Sequence, residues 1–189
     1  MVTQHENIVD PYIHEVKGAA AASADQILVA DGAGSASFTN PDTLFVSPVY
    51  GSMYMTGNAT GTSIPTANTY VQIAGNYTAG PLNGVTFASN SLTVLTAGVY
   101  FCSFTMTFTE DGGATEEYRL RVGVNGGTDG FGNLRFSLDN NEVDTVSYQA
   151  PILLAANDVL YPMITNTTND AKGATITQIQ FSAIKLRNT

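Results

Sequence analysis

From Ala97 the chain reads Ala97-Gly98-Val99-Tyr100-Phe101-Cys102-Ser103-Phe104-Thr105-Met106-Thr107-Phe108. Tyr100, Cys102, Phe104, Met106 and Phe108 share one parity, while Ser103, Thr105 and Thr107 share the other. A period of two belongs to a strand with one face in a core and excludes an amphipathic helix, whose period is 3.6. The pattern returns in Tyr118-Arg119-Leu120-Arg121-Val122-Gly123-Val124-Asn125-Gly126. There Tyr118, Leu120, Val122 and Val124 alternate with Arg119, Arg121 and Gly123. The two stretches read as adjacent strands of a β-sandwich.

Further strand candidates fall at short intervals, at 50–56, 70–74, 85–88, 91–95, 98–109, 117–125, 134–138, 144–154, 159–166 and 175–186. Turn chemistry separates them at Asn83-Gly84, Asp111-Gly112-Gly113, Asn125-Gly126-Gly127 and Asn157-Asp158. About ten strands suffice for two packed sheets, and 189 residues suffice for one main core. The 57–68 stretch, with Gly61 and Pro65, reads as a loop crossing the surface. Pro162 places its strand at an edge or at a bulge, because it has no N–H for a ladder bond. In the last strand Ile179, Phe181 and Ala183 take one phase and Ile184 and Leu186 the other. A strand apolar on both faces in a two-layer sandwich needs cover from another chain, which makes it a candidate subunit contact.

The segment ahead of this region differs in kind. Residues 1–17 scatter Ile8, Val9, Tyr12, Ile13 and Val16 among Glu6, Asp10, Pro11 and Glu15 without a period. They read as an extended arm, either disordered or laid on a partner surface. Residues 18–48 contain Ile27-Leu28-Val29 before Asp31-Gly32, a miniature hairpin, followed by a connector stiffened by Pro41 and Pro48. Residues 49–189 form the sandwich.

Seven basic residues stand against sixteen acidic ones, a net charge of -9, which disfavours nucleic acid and anionic membrane surfaces as partners. No apolar run approaches a membrane span, so no membrane insertion is expected. The amino terminus lacks the basic and apolar regions of a signal peptide, which places synthesis in a cytoplasm. The sequons at Asn58, Asn76 and Asn166 then read as chance matches in an Asn/Thr-rich chain. The single cysteine, Cys102, sits on the apolar face of its strand and reads as a small buried hydrophobe.

Chemistry finds little purchase. His5 and His14 both lie in the arm, out of reach of a triad or metal site in the core. Glu110, Asp111, Glu116 and Glu117 flank one turn, and Asp139, Glu142 and Asp144 another. Glycan hydrolysis needs two carboxylates facing across a cleft, and these read as solvated strand ends. The oxygen-rich Asn125-Gly126-Gly127-Thr128-Asp129-Gly130 does not match an EF-hand spacing, and the glycine-rich 57–63 stretch lacks the lysine of a phosphate loop. No enzyme, metal or cofactor is expected. Tyr50, Tyr54, Tyr70 and Tyr77 offer ring faces for sugars or for packing, and the loops at one end of the sandwich are the expected ligand surface.

Ala97-Gly98-Val99-Tyr100-Phe101 is similar to the Gly-x-Tyr-x-Phe opening of the long central strand in C1q/TNF-like jelly rolls, and Val122-Gly123-Val124-Asn125-Gly126 resembles the strand and turn after it. Asn157-Asp158-Val159-Leu160 and Phe181-Ser182-Ala183-Ile184-Lys185-Leu186 resemble the Gly-Asp-x-Val and closing Phe-Ser-Gly-x-x-Leu segments, with Asn157 and Ala183 in place of the usual glycines. The resemblance covers roughly residues 50–187. It implies an all-β, ten-stranded C1q/TNF-like jelly roll assembled as a homotrimer, with Val99, Phe101, Phe181, Ile184 and Leu186 at the trimer interface.

Residues 10–22 and 26–35 resemble the amino-terminal segments of tailed-bacteriophage head-fibre and decoration proteins, departing at Val16, where a proline is more typical. This resemblance implies a virion protein on the capsid surface. Ile8, Val9, Tyr12, Ile13 and Val16 would then anchor it to the major capsid protein or another virion protein, with residues 18–48 as a trimeric neck. The alternative is a phage tail-fibre or receptor-binding module that recognises host surface glycan.

Overall fold

A computed structural model of the chain describes Ser23 and residues 26–30, 36–40, 48–110, 115–127, 131–139, 142–168 and 173–188. These residues belong to two compact units, Met1–Ser47 and Pro48–Thr189. The five side chains expected to anchor the arm, Ile8, Val9, Tyr12, Ile13 and Val16, lie outside the described residues, as do His5 and His14.

In the first unit, strands β1 (Ile27–Ala30) and β2 (Ala36–Thr39) pair antiparallel, with Ile27 opposite Thr39 and Ala30 opposite Ala36. Ile27 and Leu28 are both exposed. Neighbours along a strand point to opposite faces, so both faces of this ribbon carry open apolar surface.

The second unit contains β3 (Tyr50–Thr56), β4 (Gly61–Thr62), β5 (Val71–Gln72), β6 (Thr78–Asn83), β7 (Val85–Ala88), β8 (Ser91–Val94), β9 (Gly98–Glu110), β10 (Glu116–Val124), β11 (Phe131–Leu138), β12 (Val143–Leu154), β13 (Val159–Asn166) and β14 (Ala174–Arg187). One sheet runs β12-β9-β14-β3-β6 with β4 on β14, and the other runs β11-β10-β13-β8-β7 with β5 on β13. All of these pairs are antiparallel. Two such sheets, with the chain crossing between them, make an all-β jelly-roll sandwich.

Alternation along β9 and β10 dictates the core. Tyr100, Cys102, Phe104, Met106 and Phe108 point inward from one sheet, and Tyr118, Leu120 and Val122 from the other; all are buried. β9 and β10 are therefore not adjacent strands, as their succession in sequence suggested. The chain changes sheets between Glu110 and Glu116, and the two strands face each other across the core. Phe136 of β11 bridges the layers, with its ring 4.5 Å from Phe108 and 5.7 Å from Tyr118. The hydroxyls of the fully buried Tyr100 and Tyr118 donate to backbone carbonyls, Tyr100 to Thr96 and Tyr118 to Gly173, each at 2.7 Å. Neither is left unsatisfied in the interior.

Two further expectations are corrected, and one strand is added. The strand with Pro162 is central: β10 flanks its whole length. On the other side β8 pairs Val159 and Leu160, while β5 pairs Met163 and Ile164. Pro162 sits between these two short partners, where Ile73 N donates to its carbonyl at 3.1 Å, so the missing N–H coincides with a break in the ladder. The 57–68 stretch is not a surface loop throughout, because Thr62 and Ile64 are buried and β4 pairs with β14. Asn58 Nδ2 ties this stretch down by donating to Ile176 O at 2.8 Å. Finally, Thr78–Asn83 is a strand despite Gly80 and Pro81; it lies at the edge of its sheet, where proline is tolerated.

β9 runs from one pole of the sandwich to the other. Gly98 pairs with Leu154 at the first pole, where Val99 meets Arg187. Glu110 meets Ala174 at the second, and Ala174 meets Thr62. The chain enters at the first pole, with Tyr50 opposite Ile184.

Candidate functional site

Four strands present the outward face of the β12-β9-β14-β3 sheet as cross-strand rows. The row nearest the first pole that spans all four strands is Pro151, Phe101, Ile184 and Tyr50. Beside it Leu153 pairs with Val99, and Leu186 occupies the bulge between Lys185 and Arg187. Leu153 is 64 % exposed, Leu186 58 % and Ile184 46 %, while Val99 and Phe101 are half-buried. Scattered apolar side chains are ordinary on a surface, but a contiguous group at one end of one face marks a contact site.

The next three rows are polar: Gln149, Ser103, Ser182 and Ser52; then Ser147, Thr105, Gln180 and Tyr54; then Thr145, Thr107, Gln178 and Thr56. Hydroxyl pairs stitch the strands at Ser103–Ser182 (2.8 Å), Thr105–Ser147 (2.9 Å) and Thr107–Thr145 (2.9 Å). A depression of about 320 Å³ opens among Tyr54, Thr56, Thr105, Thr107, Gln178 and Gln180. None of the four rows contains a charged or titratable acid–base residue other than tyrosine. This face is built to pack and hydrogen-bond against another surface, and it offers no group poised to move a proton at neutral pH.

Four of the five expected interface residues, Val99, Phe101, Ile184 and Leu186, share this outward surface. Phe181 does not. It is fully buried, pairs with Met53 and Phe104 on the inward side, and belongs to the core. The register shift between Ile176 and Gln178 explains the phase. Ile176 points inward, and the extra residue resets alternation so that Ile179, Phe181 and Ala183 also point inward.

Among the described residues the acidic groups do not converge; Asp111 and the Glu110 side chain lie outside them. Glu116 points inward and accepts from Asn166 Nδ2 at 3.0 Å, whereas Glu117 points outward from the same strand. Around the other turn, Asp139 accepts from Thr115 Oγ1 (2.5 Å), and its own N–H donates to Glu142 Oε2 (3.0 Å). Asn125 and Gly126 adopt left-handed φ of 53° and 73°. The Asn125 side chain donates to Asp158 Oδ1 and accepts from Val159 N, so its oxygen is engaged in pinning the turn. Cys102 is buried, and desolvation pushes its thiol up to about 12, which leaves it protonated and inert.

The sugar-platform tyrosines separate. Tyr77 is buried; Tyr50 and Tyr54 lie on the outward face just described. Tyr70 lies on the opposite face of the sandwich, where the Arg121 guanidinium stacks 3.4 Å from its ring centre. Arg119 and Arg121 alternate outward along β10, and Arg135 of β11 stands directly opposite Arg119. Glu117 accepts from Thr167 Oγ1 at 2.5 Å, ion-pairs with Arg135 and lies 3.7 Å from Arg119. The Thr167 hydrogen bond, with Arg135 and Arg119 beside it, holds the Glu117 carboxyl below the usual range. Sequence reasoning placed these arginines on the polar face of their strand but did not see them as a group, because Arg135 and Tyr70 reach them only through the fold.

No protein-family model matches the chain, and no curated protein matches it in sequence. Solved structures do. A TNF, Eiger, from S. frugiperda is 14 % identical with a TM-score of 0.48, covering 75 % of this chain and 95 % of its own. The globular domain of zebrafish complement 1qA is 12 % identical with a TM-score of 0.47, covering 75 % and 99 %. Murine APRIL is 12 % identical with a TM-score of 0.48, covering 72 % and 99 %. At such identity the likeness concerns chain path, and binding properties do not travel with it.

Proposed function

We propose that this chain is a structural virion protein, a homotrimeric head fibre or decoration protein held on a tailed-phage capsid by residues 1–17. The observation that supports it most is the exposed group Leu153, Leu186 and Ile184 beside Val99 and Phe101. Copies of the chain meeting on this face would bury it, and the resemblance of the central strand to C1q/TNF-like jelly rolls supports three as their number.

The group lies at the pole where the chain enters, with Tyr50 in the same row. A contact there brings the amino-terminal segments of the copies out together. The β1–β2 ribbon is apolar on both faces and only four residues per strand. A two-stranded ribbon of that size is marginal alone, so other copies would complete it as a neck. Three arms then bind multivalently, which turns weak individual contacts into stable attachment wherever the capsid sites lie within the connector's reach.

The test is deletion of residues 1–17. The truncated protein is expected to remain a folded trimer by sedimentation and to lose binding to fibreless particles. Truncated protein that still decorates particles would refute the anchor.

A further inference from the structure

We propose that the depression on the outward face of β3, β14 and β9 binds a neutral sugar. It lies two and three rows beyond the apolar row at the first pole, about 13–20 Å along the strands at about 3.3 Å per residue. It does not rest on the anchoring role.

The bulge that turns Phe181 into the core also builds this site. Ile176 points inward, and had alternation run on unbroken, Gln178 and Gln180 would have followed it. The extra residue turns both outward, and both are exposed. Among the described residues nothing hydrogen-bonds their amides. Gln180 stands between Tyr54 of β3 and Thr105 of β9, and Gln178 between Thr56 and Thr107. Ser147 and Thr145 steady the Thr105 and Thr107 hydroxyls from the far side, each at 2.9 Å. Those hydroxyls are set in place and keep capacity for a further bond.

The lining selects the ligand. These rows hold no charged side chain in a chain of net charge -9, so an anion gains no cation there and a cation no carboxylate. β3, β14 and β9 are interior strands of their sheet, so an extended peptide finds no edge to join. What remains is a set of hydroxyls and amides, together offering donors and acceptors, beside one aromatic ring, that of Tyr54, which is 43 % exposed. A sugar answers all of these: its hydroxyls both donate and accept, its C–H face suits the ring, and it carries no charge. The volume of about 320 Å³ is at the small end of the roughly 300–1,000 Å³ that ligand sites span, which suits a single ring. Thr56 also lines a second depression of about 240 Å³, with Thr60 and Asn76 on its wall. That one lies toward the second pole, so a further sugar unit would run away from the proposed subunit contact.

Saturation-transfer NMR on the full-length protein tests this with methyl glucoside, methyl galactoside and N-acetylglucosamine as neutral probes and glucuronate as the charged counterpart. At least one neutral sugar should bind with a Kd of about 1–10 mM. Binding should hold within about twofold between about 0.1 M and about 1 M salt, because no ion pair is there to be screened. Tyr54→Ala and Gln180→Ala should each weaken it about fivefold or more, the loss of a ring contact or of one neutral hydrogen bond. Tyr50→Ala removes a tyrosine of the same face outside the depression and should leave binding within about twofold of the parent.

Tyr54 and Gln180 are exposed, so both variants keep the fold, and unchanged melting verifies it. Failure of all three neutral probes at about 50 mM, glucuronate binding as tightly as the best of them, or equal loss in Tyr50→Ala and Tyr54→Ala would each overturn the proposal. Absence of sugar binding together with easier dissociation of Tyr54→Ala on dilution would assign the depression to the subunit contact instead. None of these readouts involves particle binding, so failure here is distinct from failure of the anchor.

Discussion

Replacing Leu153 with serine separates subunit contact from protomer core. The side chain is 64 % exposed in the single chain and stands beside Val99 on the outward face. Full burial of a leucine stabilises by about 1.5–3 kcal/mol, so covering the part still exposed is worth about 1–2 kcal/mol per protomer. A trimer buries three copies, which makes the loss about 3–6 kcal/mol and raises the dissociation constant about a hundredfold to ten-thousandfold. That constant carries the square of concentration, so the midpoint of dissociation moves about tenfold to a hundredfold upward on the same arithmetic. Sedimentation velocity across a dilution series reads the midpoint directly. The companion variant Phe181→Ala removes a fully buried ring from the core and should lower folding stability by about 3–5 kcal/mol in urea melts. If Leu153→Ser leaves the midpoint in place, or Phe181→Ala dissociates the assembly without lowering folding stability, the assignment of faces is wrong.

Two more outcomes follow from the titrating groups. Glu117 has its carboxyl held low in the folded state, so its contribution is present above the ordinary glutamate range and is lost as pH falls through its depressed value. Glu117→Gln should lower the neutral plateau of a stability-against-pH curve and so flatten its acid limb, as urea melts across the pH range will show. Cys102, with its thiol pushed up to about 12, should resist a thiol-specific disulfide reagent at pH near neutrality and react fully once denaturant is added. Fast labelling of the native protein would contradict its burial.

Period-two alternation was readable wherever a strand has one wet face. Val85–Ala88 and Val159–Asn166 fall at the bounds the residues suggested, and β9 and β10 have the inward sets that their parity predicts. What alternation does not carry is pairing, which is why β9 and β10 read as neighbours although they lie in different sheets. Nor does it carry phase across a bulge. Phe181 was named with the interface although its parity opposes that of Ile184 and Leu186, because a stretch with both parities apolar does not say which phase faces the core; the shift at Ile176 only sets that phase against the strand's earlier half. Thr78–Asn83 escaped notice because Gly80 and Pro81 are poor strand residues everywhere except at an edge. The arginine group needed three segments far apart in sequence to be brought onto one face.

The run of β9 from pole to pole also has a practical consequence. Its thirteen residues, at about 3.3 Å each, hold the poles about 40 Å apart. Pro48 and Arg187 lie at one pole, and the junction between Glu110 and Glu116 lies at the other. A reporter fused after the last strand would therefore lie at the pole where the chain enters the sandwich. An epitope grafted between β9 and β10 would sit at the opposite pole of the sandwich, a full strand length away.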